Sequence, residues 1–477
     1  MASISLREAA HLLRRMGFGG TSGDIDALVG KERETAVNSL IDYETVNNQE
    51  MVDSLARSFL FLRLSSSSEI TNANFNETEI RAWWITRLLT TKRPFEEKMT
   101  LFWHNHFATS LDTVPAIQMY TQNLYLRKYA LGRFDDLLLN ISEGAAMLIW
   151  LNGVESNREA PNENFARELL ELFTMGTNDV VTDDPNYSEG DVKDVARAFA
   201  GWRFRIRNDD LFANEWYVDT NSADSGAKTI FGQTANFSGE DVIMVLADKQ
   251  ATARFLVYKL FNFFVYPLDL NNQTDKQTID KFANVYLRKN HSIKELTRAI
   301  FQSDEFFSQR AVWGMVKNPV EYAVGTRRML NLHYLVGTFD NREVTLQASL
   351  KEMGMNLFAP PNVAGWKTDL GFINTETLLA RYNFSDALMF GFLAVSAAFD
   401  QDIQKYIKPS VKKTVAKLVN AMGLELDQAV IKDLQQYLTL DKQGNAVSWP
   451  PDGGLVSRMK IRGLIRLMMC LPEYQLN

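Results

Sequence analysis

Apolar residues recur every three to four positions along most of this chain, the spacing that leaves one face of an α-helix apolar. The pattern predicts helices over 31–43, 50–64, 76–91, 95–110, 115–131 and 135–151, and later over 239–248, 250–264, 275–288, 292–302, 318–332, 343–353 and 375–399. Two or three more fit within 412–472. Start and stop residues agree with these spans. Ser5 with Glu8, and Ser188 with Asp191, have the spacing of capping boxes, and Asn76 stands ready to cap "ETEIRAWWITRLLTT". Pro94 suits a first helical turn, and glycines at 17, 19, 20 and 201 end the helices before them.

The period changes in one place. "WRFRIRNDDLFANEWYVDT", 202–220, alternates like a short β-hairpin, and "KTIFG", 228–232, adds a short extended piece. "SSSSE", 65–69, reads as a loop, and "APPNVAGW", 359–366, interrupts the helices, because its two prolines force an extended chain and Gly365 permits a turn. At 477 residues the chain exceeds what one apolar core usually organises. The expected architecture is mostly α, a multi-helix protein of two or three packed lobes with a small β-hairpin insertion. Its parts are an N-terminal helical lobe over 1–201, the insertion over 202–238 and a C-terminal helical lobe over 239–477.

Charge and composition narrow the function classes. A net charge of −7 argues against non-specific nucleic-acid binding, which needs a basic face. The single cysteine, Cys470, rules out a disulfide framework and a cysteine metal site within the chain. The first twenty residues are no signal peptide, since Arg7, Glu8, Arg14 and Arg15 interrupt the apolar ones. The longest apolar run, 387–399, falls short of the roughly 20 residues that span a bilayer and reads as a buried core helix. The compartment is periplasmic or exported if a leader has been removed, and cytoplasmic otherwise.

Three stretches carry candidate chemistry. The first is "PNENFARELLELFTMG", 161–176. At about 100° per residue, Asn164, Arg167, Glu168 and Glu171 share roughly one third of a helix circumference. With Glu163 beside that stripe, three carboxylates stand against one arginine, and Arg167 is placed to pair with Glu163 or Glu171. Buried, such an imbalance needs a further cation, either a basic side chain or a divalent metal. A solvated salt-bridge ladder is the plain alternative. The second is "LFWHNHFATS", 101–110, with His104 and His106. Two residues apart on a helix they point about 200° apart, which suits separate packing roles; in an extended chain they would face the same way. The third is "MGMNLFAPPNVAGW", 353–366, where Asn362 and Trp366 either close a pocket or pack a crossover. His11, His291 and His333 are isolated. The nucleophile elbow, the phosphate-binding P-loop and the dinucleotide glycine pattern are all absent from the sequence.

Taken together, "AAHLLRRMGFGG", "KMTLFWHNHFATS", "PNENFARELLELFTMG", "YSEGDVKDVARAFAGW", "FLVYKLFNFFV", "MGMNLFAPPNVAGW" and "CLPEYQL" occur in the order they take in a bacterial family. The chain resembles domain of unknown function 1800 from its first helix to its last residues. One departure stands out: Phe372 occupies the place where many members carry a second tryptophan. The resemblance implies an envelope setting and a protein partner similar to the sulfatase and phosphatase superfamily. The expectation is one polar pocket in which His104 or His106 faces Glu168 and Glu171 as catalytic groups. Asn162, Asn164, Arg167, Asn362 and Trp366 would bind ligand. Such a set suits hydrolysis or binding of a polar envelope or saccharide substrate, with a divalent metal as candidate cofactor. The alternative is a non-catalytic scaffold or partner protein whose motif residues form a buried ionic network.

Overall fold

Each capping signal forms. The Ser5 hydroxyl accepts the Glu8 N–H at 3.3 Å while the Glu8 carboxylate accepts the Ser5 N–H at 2.8 Å, opening the Leu6–Met16 helix. Ser188 and Asp191 repeat the exchange ahead of Glu189–Ala198. Asn76 caps Glu77–Thr90, and Pro94 is the first residue of Pro94–His106. The computed structural model describes residues 3–59, 62, 75–206, 214–332, 341–390, 397–441, 443–450 and 454–477. Within them the chain is mostly α-helical, with 23 α-helices and four short strands. None of these helices is long and apolar enough to cross a membrane.

The strands pair as two antiparallel hairpins, Trp202–Ile206 with Asn214–Val218 and Lys228–Ile230 with Gln233–Ala235. The second hairpin docks on the Glu189–Ala198 helix through its carboxylates. Asp194 accepts the Thr229 N–H at 2.6 Å, and Asp191 accepts the Phe231 N–H at 2.6 Å.

Two spans differ in kind from the single helix expected of each. The 135–151 span is two helices, Phe134–Glu143 and Ala145–Trp150, because Gly144 turns extended between them. The 161–176 span begins as an α-helix, Glu163–Glu168, and continues as a π-helix, Leu169–Thr174, in which the Thr174 hydroxyl reaches back five residues to the Leu169 carbonyl at 2.6 Å. Of the long helix expected over 375–399, Thr375–Phe390 is helical and Ala397–Gln404 is helical beyond the residues that are not described. Residues 391–396 lie outside the described residues, as do the serine loop at 65–69 and His333.

Buried apolar side chains gather in two clusters. One draws on residues 4–43 and 95–311, the other mainly on residues 51–89 and 320–474. The Pro94–His106 helix serves both. Its Phe95, Met99, Phe102 and Trp103 belong to the first cluster and its Leu101 to the second. The end of that helix therefore stands at the seam between the two cores, and there it meets the proline loop.

Candidate functional site

The three residues that close the Pro94–His106 helix each bind the backbone of a different segment. The Phe358 N–H donates to His104 Nε2 at 3.2 Å. The Trp366 N–H donates to Asn105 Oδ1 at 2.6 Å. His106 Nε2 lies 3.0 Å from the Phe173 carbonyl, to which it donates. Helical geometry explains the division of labour. His104 packs among Trp84, Phe358 and Trp366, with ring centroids 5.2–5.3 Å away. His106 turns the other way, against Phe102, Trp103, Phe107 and Phe173.

Both rings are neutral. Burial lowers the pKa of each to about 3, with the Lys259 charge adding to the effect at His106. An imidazole held so far below neutral pH is a poor general base. Its hydrogen bond also sets its tautomer: His106 carries its proton on Nε2, which leaves Nδ1 buried without a partner.

The polar row at 162–171 lies on the outer side of its helix. Asn162 is the helix cap: its side-chain oxygen accepts from the Asn164 and Phe165 N–H groups at 3.0 and 3.3 Å, and its nitrogen donates to the Leu151 carbonyl at 2.5 Å. The side chains of Glu163 and Asn164 are exposed. Arg167 pairs with neither Glu163 nor Glu171. It makes a bidentate pair with Glu189, both contacts at 2.8 Å, and its side chain stays 37% exposed. The π-turn and the neighbouring Glu189–Ala198 helix bring that new partner, 22 residues along the chain, which periodicity within one helix cannot show. Glu171 accepts from the Tyr187 hydroxyl at 3.3 Å. The pKa of Glu168 is raised, first by partial burial and then by the Glu171 charge. The histidines thus reach the inner, backbone side of this segment through Phe173, while the carboxylates face outward. Among the described residues no three His, Cys, Asp or Glu side chains converge as a metal site.

The proline loop does build a cavity. Trp366 is buried, and with Phe263 and Phe372 it walls a narrow slot of about 20 Å³, room for a single water-sized group. Asn105, Asn262, Asn318 and Glu321 supply polar lining together with Lys367, Thr368 and Asp369, whose carboxylate accepts the Val316 N–H at 2.7 Å. Asn362 does not line it; its side chain accepts the Ala364 N–H at 2.9 Å and so shapes its own turn. Each slot asparagine spends its oxygen on a backbone N–H: Asn105 on Trp366, Asn262 on Leu268 at 2.8 Å, and Asn318 on Glu321 at 2.9 Å. Those bonds fix which way each amide faces. The three NH2 groups donate to no acceptor among the described residues, and none is sealed from solvent. Glu321 is spoken for: one oxygen pairs with the buried Lys98 ammonium and the other accepts the Asn318 N–H at 2.8 Å.

Asn105, Asn262, Asn318 and Glu321 escaped the sequence reading. Signals for them exist. Asn262 is a lone amide in the apolar run "FLVYKLFNFF", and "NPVE", 318–321, is a capping box with proline at its first helical position. Asn105 was overshadowed by the histidines that flank it.

No curated protein and no solved structure matches this chain. Its sequence matches the profile of one family over residues 11–476, and the chain therefore belongs to the proteins of unknown function grouped as DUF1800.

Proposed function

We propose that this protein binds a small, oxygen-rich end of a saccharide in the slot beneath Trp366. One observation carries the reading: three asparagines, Asn105, Asn262 and Asn318, border one cavity with their side-chain oxygens already engaged, which leaves their NH2 groups as the free donors. A ligand rich in acceptors satisfies such donors, and each bond contributes about 0.5–1.5 kcal/mol net. The apolar walls of Trp366, Phe263 and Phe372 narrow the slot so that it admits only a ligand's tip, such as a hydroxyl or hydroxymethyl group. Pre-oriented amides lose little entropy on binding.

In this reading His104 and His106 are braces and the protein is a binding module. The hydrolytic alternative draws on one observation, the raised pKa of Glu168 beside Glu171. It needs a cavity at that face, and the slot beneath Trp366 includes neither carboxylate.

The experiment is calorimetric titration with a panel of neutral, amino and acidic mono- and disaccharides. Asn262→Asp keeps the acceptor for the Leu268 N–H and removes the NH2 donor. The expected outcome is a sugar that binds wild type and loses about tenfold or more in affinity with Asn262→Asp, at unchanged melting temperature. A panel that binds nowhere, or binds the variant equally well, defeats the reading.

A further inference from the structure

Lysine is concentrated on one edge of this acidic protein. Between Asp402 and Glu425 the chain carries Lys405, Lys408, Lys412, Lys413 and Lys417 and no carboxylate. Lys412 and Lys413 occupy the first turn of the Val411–Ala421 helix, where the helix dipole disfavours cations. Stability of the fold does not account for this choice. The side chains of Lys408, Lys412, Lys413 and Lys417 make no hydrogen bond or ion pair among the described residues. Lys405 alone is paired, with Asp402 at 3.1 Å.

These lysines border an open groove. Lys405, Lys408 and Lys417 line a hollow of about 440 Å³, with Thr21 and Ser22 also in its lining. A second hollow of about 360 Å³ shares Thr21 and continues along Thr90, Thr91 and Lys92, whose ammonium pairs with Glu50 at 2.8 Å. Asp24 is the one carboxylate lining either hollow, and it is occupied by the Thr21 N–H and hydroxyl, both at 2.8 Å. Two hollows in series suit a chain better than a single ion. Ammonium groups on flexible stems act as point charges, fitted to single negative charges spaced along a polymer. Hydroxyl lining suits a polymer that also carries hydroxyls. The one ring in the lysine-lined hollow, Tyr406, is 3% exposed, so it offers no face on which a nucleic-acid base could stack.

We infer that this groove docks an acidic polysaccharide, with its carboxylates or sulfate esters on Lys408 and Lys417 and its hydroxyls toward Ser22. The site is separate from the slot. Asn318 caps the Pro319–Met329 helix at the slot, and Met329 ends that helix at the groove, so the length of the helix, about 16 Å, lies between them.

The test uses immobilised polygalacturonate for the carboxylate arm and heparin for the sulfate arm, with wild type, Lys408→Gln/Lys417→Gln and Asn262→Asp. Binding of wild type to at least one polymer is expected at about 50 mM salt, with loss at about 500 mM as screening shortens. The double lysine variant should bind about tenfold or more weakly at an unchanged melting temperature. Asn262→Asp should bind like wild type, which separates failure here from failure of the slot. Absence of binding to both polymers at low salt overturns the inference. So does an unchanged lysine variant, and so does duplex DNA bound as tightly as either polysaccharide.

Discussion

The side-chain oxygen of Asn105 accepts the backbone N–H of Trp366 at 2.6 Å, a bond that joins positions 261 residues apart. It fastens the proline loop to the helix end at the seam of the two apolar cores, and it orients the Asn105 amide at the same time. Replacing Asn105 by Leu leaves the Trp366 N–H without its acceptor and should cost about 1–3 kcal/mol. Asn105→Asp keeps the acceptor and should retain most of that stability. Urea midpoints of the two variants decide it: equal destabilisation would mean that the acceptor bond is not what holds the loop.

Gly365 lies inside the same junction. Its φ is +86°, in the left-handed region, and a Cβ there would meet Asn105 atoms, including the Asn105 carbonyl oxygen at 2.5 Å. Gly365→Ala should therefore cost more than the ~1–3 kcal/mol of backbone strain alone. It should also shift Trp366, so a ligand of the slot would bind the variant more weakly. A variant as stable as wild type would show that the loop can move away from Asn105 at no cost.

The chain also buries a carboxylate by design. Glu97 is fully buried and receives Trp84 Nε1 at 3.0 Å, Arg127 Nε at 2.7 Å, Arg127 Nη2 at 3.0 Å, and Arg87. Burial alone would raise its pKa, but the charges and hydrogen bonds of Arg127 and Arg87 overcome that and hold it at about 2. A folded pKa below the unfolded value stabilises the protein above pH 4.5, and that contribution is lost as pH falls from about 4.5 toward 2. Glu97→Gln should flatten this acid limb and cost about 3–5 kcal/mol near neutral pH, because two buried guanidinium groups lose their anion. Acid unfolding of the variant that follows the same curve as wild type would contradict the assignment.

Local structure was legible because it rests on local chemistry. Ser5, Asn76, Pro94 and Ser188 start helices for reasons contained within four residues, and the alternation around Trp202 and Val218 needs only a period of two. The site was legible in part. Asn105 and Trp366 sit in segments that stood out, but their bond depends on where two cores meet, which no periodicity encodes. Arg167 shows the same limit. On one helix Glu163 and Glu171 are its neighbours by spacing, whereas the folded chain supplies Glu189 from the next helix. The histidines attracted attention as chemistry, and their aromatic shell of Phe102, Trp103 and Phe107 was the better guide to a packing role.

For Arg167 the consequence is a small effect. Its partner Glu189 is exposed and its own side chain is 37% exposed, so solvent screens the pair. Arg167→Ala should leave the melting temperature within about 2 °C of wild type. A large drop would mean that the outward row of carboxylates depends on this guanidinium in a way the Glu189 contact does not explain.

The histidines impose a pH dependence with a definite sign. His104 and His106 have folded pKa values of about 3, far below the ordinary value of 6.5. As pH falls below 6.5 the unfolded chain takes up these protons and the folded chain does not, so stability drops with pH between about 6.5 and 3. Each histidine contributes up to ~1.4 kcal/mol per pH unit in that window. Glu143 acts in the opposite direction: partial burial and Glu240 raise it to about 7, so its contribution is present at lower pH and fades as pH rises toward 7. The net slope of wild type mixes these terms, and a difference measurement separates them. His106→Gln keeps a donor for the Phe173 carbonyl and removes one titrating group. Denaturant stability measured at pH 7.5 and pH 5 should differ less for that variant than for wild type, by up to about 2 kcal/mol over the interval. Equal differences for the two proteins would mean that His106 titrates alike in the folded and unfolded chains, and so is not the buried neutral brace described here.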